Sequence, residues 1–224
     1  GRILRSRSAW PLWVQYACLS YGCLFYIAGL PTYLRETRGL KLNQNAFIQW
    51  LGQLLGGILA PDTTQKVLVA ALAGVPLFVG GIGCLAAGWM APALARATGN
   101  VARTRRLLAL AGFTGASALL VASFYIRDPL LAMLAMGLAS FCNDLTMPGS
   151  WSTCMDLGGR FAGTLSGSMN MMGALGGTLA PLVIGIILDV TARDWAITFW
   201  ISGAIYFLGG LCWLGIDPVK PLEE

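Results

Sequence analysis

Asn143 and Asp144 stand side by side in "SFCNDLTMPGSW" (140–151), and Asp144 is the only charged residue between Pro129 and Trp151. An ionised carboxylate at the centre of a membrane helix costs about 2.5–3.5 kcal/mol on insertion scales. It is tolerated where it faces a cavity, pairs with a cation or takes a proton. Asp144 is therefore a candidate proton- or cation-coupling group, with a hydrogen bond to a neighbouring helix as the structural alternative. Successive helical residues diverge by about 100°, so the expectation is that Asn143 turns away from it. Ser150, Trp151 and Thr153 follow on the same helix, and Asn170 places an amide in the middle of another apolar run. Such an amide suits polar ligand atoms or a second helix better than lipid. Tyr26 on the first apolar run is a further candidate, together with Tyr21 and Gln15.

Catalytic chemistry has little to stand on. Histidine is absent, which removes histidine metal sites and any Ser–His or Cys–His catalysis within this chain. Cys18, Cys23, Cys84, Cys142, Cys154 and Cys212 are scattered, with no C-x-x-C, so no zinc site or disulfide framework is expected. "GTLSG" around Ser166 lacks both the G-x-S-G spacing and the histidine base of an intramembrane serine protease. "VGGIG" (79–83) lacks the G-x-G-x-x-G spacing of a dinucleotide site. No catalytic residue, metal or cofactor is expected.

The elements that carry these residues are long and apolar. Hydrophobic residues make up 56% of the 224 and charged residues 11%, against about 25% charged in soluble domains. Mean hydropathy is +0.68. Six spans are expected, at about 10–34, 67–91, 107–126, 129–155, 161–188 and 195–215. Each approaches or exceeds the roughly 20 residues that cross a bilayer as a helix. None contains lysine or arginine, so a cationic partner for Asp144 must come from elsewhere. Segment 43–65 holds the short apolar stretch 46–60 and suits an interfacial or extracytoplasmic loop segment that does not cross. Gly163, Gly167, Gly173 and Gly177 form two G-x-x-x-G pairs, a spacing that lets membrane helices approach closely.

Lysine and arginine set the orientation. The N-terminus, 92–106, 156–160 and the tail share one side and hold Arg2, Arg5, Arg7, Arg96, Arg103, Arg105, Arg106, Arg160 and Lys220. The other side holds Arg35, Arg38, Lys41, Lys66, Arg127 and Arg193. Both ends are then cytoplasmic, in a multi-pass protein of the cell (inner) membrane. The net charge of +5 reads as a topology signal and a contact with anionic lipid, and the flanking positions of the arginines argue against nucleic acid.

Three stretches carry a likeness: "LPTYLRETRGL" (30–40), "GVPLFVGGIGCLAAGW" (74–89) and "WSTCMDLGGRFAGTLSGSMNMMGALGGTLAPLVIGIIL" (151–188). The chain resembles the C-terminal six-helix half of a major facilitator superfamily transporter. Within that superfamily it is most similar to the anion:cation symporters, including hexuronate and other sugar-acid transporters. The resemblance implies an all-α fold of six transmembrane helices, built as two inverted three-helix repeats. It implies secondary active transport of a small organic anion, a sugar acid in particular, coupled to a proton or another cation. The remaining partner would be an N-terminal six-helix half outside this chain. Trp151 and Asn170 match the tryptophan and asparagine of the family's tenth and eleventh helices. An indole there packs on the C–H face of a sugar, while hydroxyls and amides such as those of Asn143, Ser150 and Thr153 bond its oxygens. One departure is clear: "GWMAPALAR" has Ala91, Pro92 and Ala93 where the family often has an aspartate, which puts the ion pair of that loop in question. A half-length dimerising membrane protein, or one that does not transport, is the alternative reading.

Overall fold

The computed structural model describes residues 2–33, 36, 49–50, 53 and 61–221, with side chains at all of these except 2, 26, 31, 61–66, 68–69, 72–73 and 129–130. Much of the stretch expected to be non-crossing, 46–60, lies outside the described residues, as does the side chain of Tyr26.

The described chain is helical throughout. A single turn, Arg2–Arg5, precedes α1 (Ala9–Leu24), which continues through a π-helical turn at Phe25–Gly29 into Leu30–Tyr33. Helix α2 (Pro61–Thr98) has Pro76 and Pro92 inside it. At about 1.5 Å per residue its 38 residues extend well beyond a hydrocarbon core of about 30 Å. The stretch 92–106, expected as a loop, is mostly helix. Only Gly99 and Asn100 interrupt it before α3 (Val101–Tyr125), with Gly99 at φ +63° where a side chain would be strained. Asn100 caps α3 by accepting from the Arg103 amide at 3.0 Å.

Helices α4 (Pro129–Leu145) and α5 (Met147–Gly158) lie within one expected span but are separate, with the break at Thr146. Pro148 follows at once and has no N–H to donate, which suits the first turn of a new helix. The chain then turns at Gly159 (φ +48°) into α6 (Ala162–Val190). A second turn, with Ala192 and Arg193 at positive φ, leads to α7 (Trp195–Cys212), capped by Asp194 accepting from the Ala196 amide at 2.9 Å.

Among the described residues, five apolar helical stretches are long enough to cross a membrane, and one of them, Leu131–Val190, runs for 60 residues through α4, α5 and α6. Helices α5 and α6 pack together across the Gly159 turn, so this stretch doubles back. Helix α2 packs on α4, α3 on α4 and α7, and α1 on α6 and α7. Inside lie Phe25, Phe113, Phe199 and Tyr206, all essentially inaccessible. Outside, Phe78, Leu85 and Trp89 form a stripe along α2, 74–84% exposed. A water-soluble protein buries such side chains; a helix facing lipid presents them.

The glycine pairs divide. Gly173 lies under the Tyr16 ring and Gly177 under Leu24, both side chains of α1, whereas Gly163 and Gly167 have open space around them. The closest backbone approach is at Gly176, where a Cβ would stand 2.7 Å from the Ala17 carbonyl carbon. Gly176→Ala is therefore expected to lower the thermal midpoint, by about 1–3 kcal/mol of overpacking. Gly163→Ala on the same helix should hold or raise it, because alanine is the better helix former. Equal midpoints for the two variants would contradict the α1–α6 packing.

One end of the bundle is tied together by polar contacts. Arg105 pairs with Asp156 at 2.7 Å and donates to the Pro218 carbonyl at 2.7 Å. Arg106 donates twice to the Ile216 carbonyl, at 2.7 and 3.0 Å, and the Asp217 amide donates to Ser8 Oγ at 3.3 Å. The segments grouped by their arginines thus meet. At the opposite end Glu36 pairs with Arg193 and accepts from Trp195 Nε1 at 3.1 Å.

Candidate functional site

Gln15 and Tyr16 are consecutive on α1, and Ser150 and Trp151 are consecutive on α5. The two helices meet through these pairs. Trp151 Nε1 donates to the Tyr16 hydroxyl at 3.2 Å, and the rings pack edge to face with centroids 5.9 Å apart. Ser150 Oγ donates to Gln15 Oε1 at 3.2 Å, and Trp213 Nε1, just beyond α7, donates to the same oxygen at 3.3 Å. Gln15 is fully buried, so bonds to it are made without competing water. This clasp holds Trp151, itself half-buried, by one edge.

Tyr16 also leads to a groove. Its ring lies on Gly173, and beyond it α1 and α6 part to form an open groove of about 570 Å³. Ser20 and Leu24 line one wall; Asn170, Gly173, Gly177 and Thr178 line the other. Asn170, Gly173 or Ala174, and Gly177 or Thr178 recur at helical spacing, so one face of α6 supplies this wall. The small residues keep it shallow enough for the Asn170 amide to remain exposed.

Asp144 occupies a third position, on α4. Its carboxylate accepts from Asn143 Nδ2 at 2.7 Å, so the two residues are joined rather than turned apart. Backbone geometry does separate them by about 100°, but the amide is long enough to reach round. On the other side lies Gly80 of α2, where a Cβ would stand 2.5 Å from Asp144 Oδ2 and 2.7 Å from Ser140 Oγ. Cys23 of α1 and Cys84 of α2 are within electrostatic reach of the carboxylate. Among the described residues no cationic side chain bonds it.

The expected site residues are thus distributed over three places. Trp151 is in the clasp and Asn170 in the groove, and Tyr16 connects the two. Asp144 and Asn143 form their own pair against α2; Asn143 is 1% exposed and its Oδ1 has no partner. Ser150 and Thr153 are fully buried, facing into the bundle, and Thr153 Oγ1 has no partner. Sequence reasoning did not single out Tyr16, Ser20, Thr178 or Gly80. Tyr16, Ser20 and Leu24 recur every four residues, a stripe legible in the first span. Gly80 carried no local signal.

The fold and its outward apolar stripe define a polytopic helical membrane protein. No family model matches the chain. Its curated relatives are transporters. A probable sulfoacetate transporter of Cupriavidus necator is 26% identical over 218 residues, covering 97% of this chain and 45% of that protein. A D-galactonate transporter of Escherichia coli is 30% identical over 165 residues, covering 68% of this chain and 36% of that protein. The chloroplastic ascorbate transporter of Arabidopsis thaliana is 25% identical over 211 residues, covering 94% and 34% respectively. The chain spans less than half the length of these relatives. The likeness to half of an anion transporter of the major facilitator kind therefore stands, and the relatives' names point to a transporter rather than an enzyme.

Proposed function

We propose that this chain is one six-helix unit of a secondary transporter that moves a small organic anion, a sugar acid or similar polyoxygenated acid, by alternating access. In this reading α4–α5 and α6 are two spans, which brings the count to six. The packing supports two inverted repeats: exchanging the first three spans for the last three converts the α1–α6 contact into the contact of α4 with α2, and the α3–α4 contact into that of α7 with α1.

The observation that carries the reading is the Trp151–Tyr16 clasp beside a groove that exposes Asn170 and Ser20 in mid-span. An indole edge-anchored in this way presents a rigid apolar face, and the amide and hydroxyl bond oxygens. Ser150 and Thr153 support that surface from behind; Tyr26, in the π-helical turn after α1, is kept as a binding candidate on its sequence alone. Asp144, with no cationic partner among the described residues, takes the coupling proton or cation. The anion's charge is met by a second six-helix unit, against which this one rocks. The unit sits in the inner membrane with its arginine-rich end cytoplasmic.

The test is uptake by the complete transporter in proteoliposomes, using labelled galactonate and sulfoacetate under an imposed proton or sodium gradient. Saturable, gradient-dependent accumulation of either is expected. No accumulation of any organic acid, with correctly inserted protein, would overturn the function. Cysteines at positions 103 and 220 should label from the cytoplasmic side alone; labelling from outside reverses the orientation.

A further inference from the structure

The arginine-rich end carries charge that its own contacts do not use. Contacts of Ser8, Arg105, Arg106, Asp156 and the tail draw four segments together there. Arg105 and Arg106 are used in holding them. Arg5, Arg7, Arg96, Arg103 and Lys220 remain exposed, and among the described residues none of the five has an acidic partner. The described acids at this end are Asp156, already paired with Arg105, and Asp217. The opposite end differs: Arg127 and Arg193 share it with Glu36, Asp128, Asp189 and Asp194, and Arg193 pairs with Glu36. Apolar side chains border the arginines. Leu4 and Trp10 are 60% and 52% exposed, and Trp10 Nε1 donates to the Leu4 carbonyl at 3.0 Å, which folds the N-terminal turn back along the bundle. Trp89 lies two turns before Arg96 on the outer stripe of α2.

We infer that this collar is a docking surface for acidic phospholipid headgroups. The inference rests on the chain spanning a membrane. Guanidinium groups beside exposed tryptophans match a layer in which phosphates overlie acyl chains, because the indole occupies the boundary and the guanidinium bonds phosphate oxygens. A juxtamembrane arginine contributes roughly 1 kcal/mol of attraction to an anionic surface. A free anion would use the charge but not the apolar border, so the occupant is a lipid.

The experiment follows the thermal midpoint of the purified transporter while phosphatidylglycerol or phosphatidylcholine is added. Half-saturation by phosphatidylglycerol is expected at about tenfold lower concentration, a preference that salt weakens. Changing Arg5, Arg7, Arg96 and Arg103 together to Gln should abolish the preference without lowering the midpoint in phosphatidylcholine. Changing all four to Lys should keep it, because the charge remains. Equal responses to the two lipids in the unaltered protein overturn the inference. So does reproduction of the shift by millimolar inorganic phosphate, or a Gln variant with an intact preference. Extraction of the protein from membranes by carbonate would instead overturn the membrane reading on which the inference rests.

Discussion

Replacing Trp151 with alanine is expected to raise the half-saturating substrate concentration about thirtyfold, the ~2 kcal/mol at which an aromatic anchor is recognised. The indole is held from behind through its Nε1–Tyr16 hydrogen bond and edge-to-face packing, and is only partly buried. Truncation removes the face that substrate C–H groups would meet and frees Tyr16 to shift toward Gly173. Two companion substitutions separate binding from architecture. Trp151→Phe keeps an aromatic face but loses the bond; Tyr16→Phe keeps both faces and loses only the acceptor. Both should show smaller effects than alanine. A purely structural Trp151 would lower the amount of folded protein and the maximal rate while leaving the half-saturating concentration alone. That pattern in uptake assays would remove Trp151 from the binding surface.

Asp144→Asn is expected to abolish accumulation driven by an imposed proton gradient, while exchange of labelled for unlabelled substrate continues. The side chain keeps its size, so the fit over Gly80 is preserved. What it loses is the capacity to carry a proton or hold a cation. The described groups near it are neutral: Asn143, which bonds it, and Ser140, which shares its place over Gly80, on its own helix, with the thiols of Cys84 on α2 and Cys23 on α1. None of these replaces an ionisable carboxyl as a carrier in the working range of pH, since an ordinary thiol titrates near 8.5. Exchange returns the protein with substrate bound and need not release the coupling ion, so it should survive. If the mutant accumulates substrate normally, Asp144 is a packing residue joined to Asn143, and the coupling group lies in the other unit.

Much of this organisation could be read from composition and spacing. Runs without lysine or arginine, each long enough to cross a bilayer, leave helices as the only economical arrangement, because backbone groups in lipid must bond within their own segment. The arginines grouped one end of the bundle, and the contacts of Arg105 and Arg106 join those same segments. Asp144, Trp151 and Asn170 stood out because polar or amphipathic groups are expensive among apolar neighbours.

Placement was a different matter. Ser150 and Thr153 are as polar in sequence as Asn170, yet both are fully buried while Asn170 is exposed in a groove. The Tyr16–Trp151 and Gln15–Ser150 bonds each join residues 135 apart in the chain. The two G-x-x-x-G pairs are identical as patterns, and only the second meets α1. Gly80 acquires its meaning solely from the Asp144 carboxylate that lies on it. Sequence by itself determined which segments leave water and which side chains resist doing so, because transfer free energy belongs to each residue. Only the tertiary structure decided which polar groups face one another and which face a groove. That depends on helix rotation, the break at Thr146 and the close approach of α1 to α6, all set by contacts between distant parts of the chain.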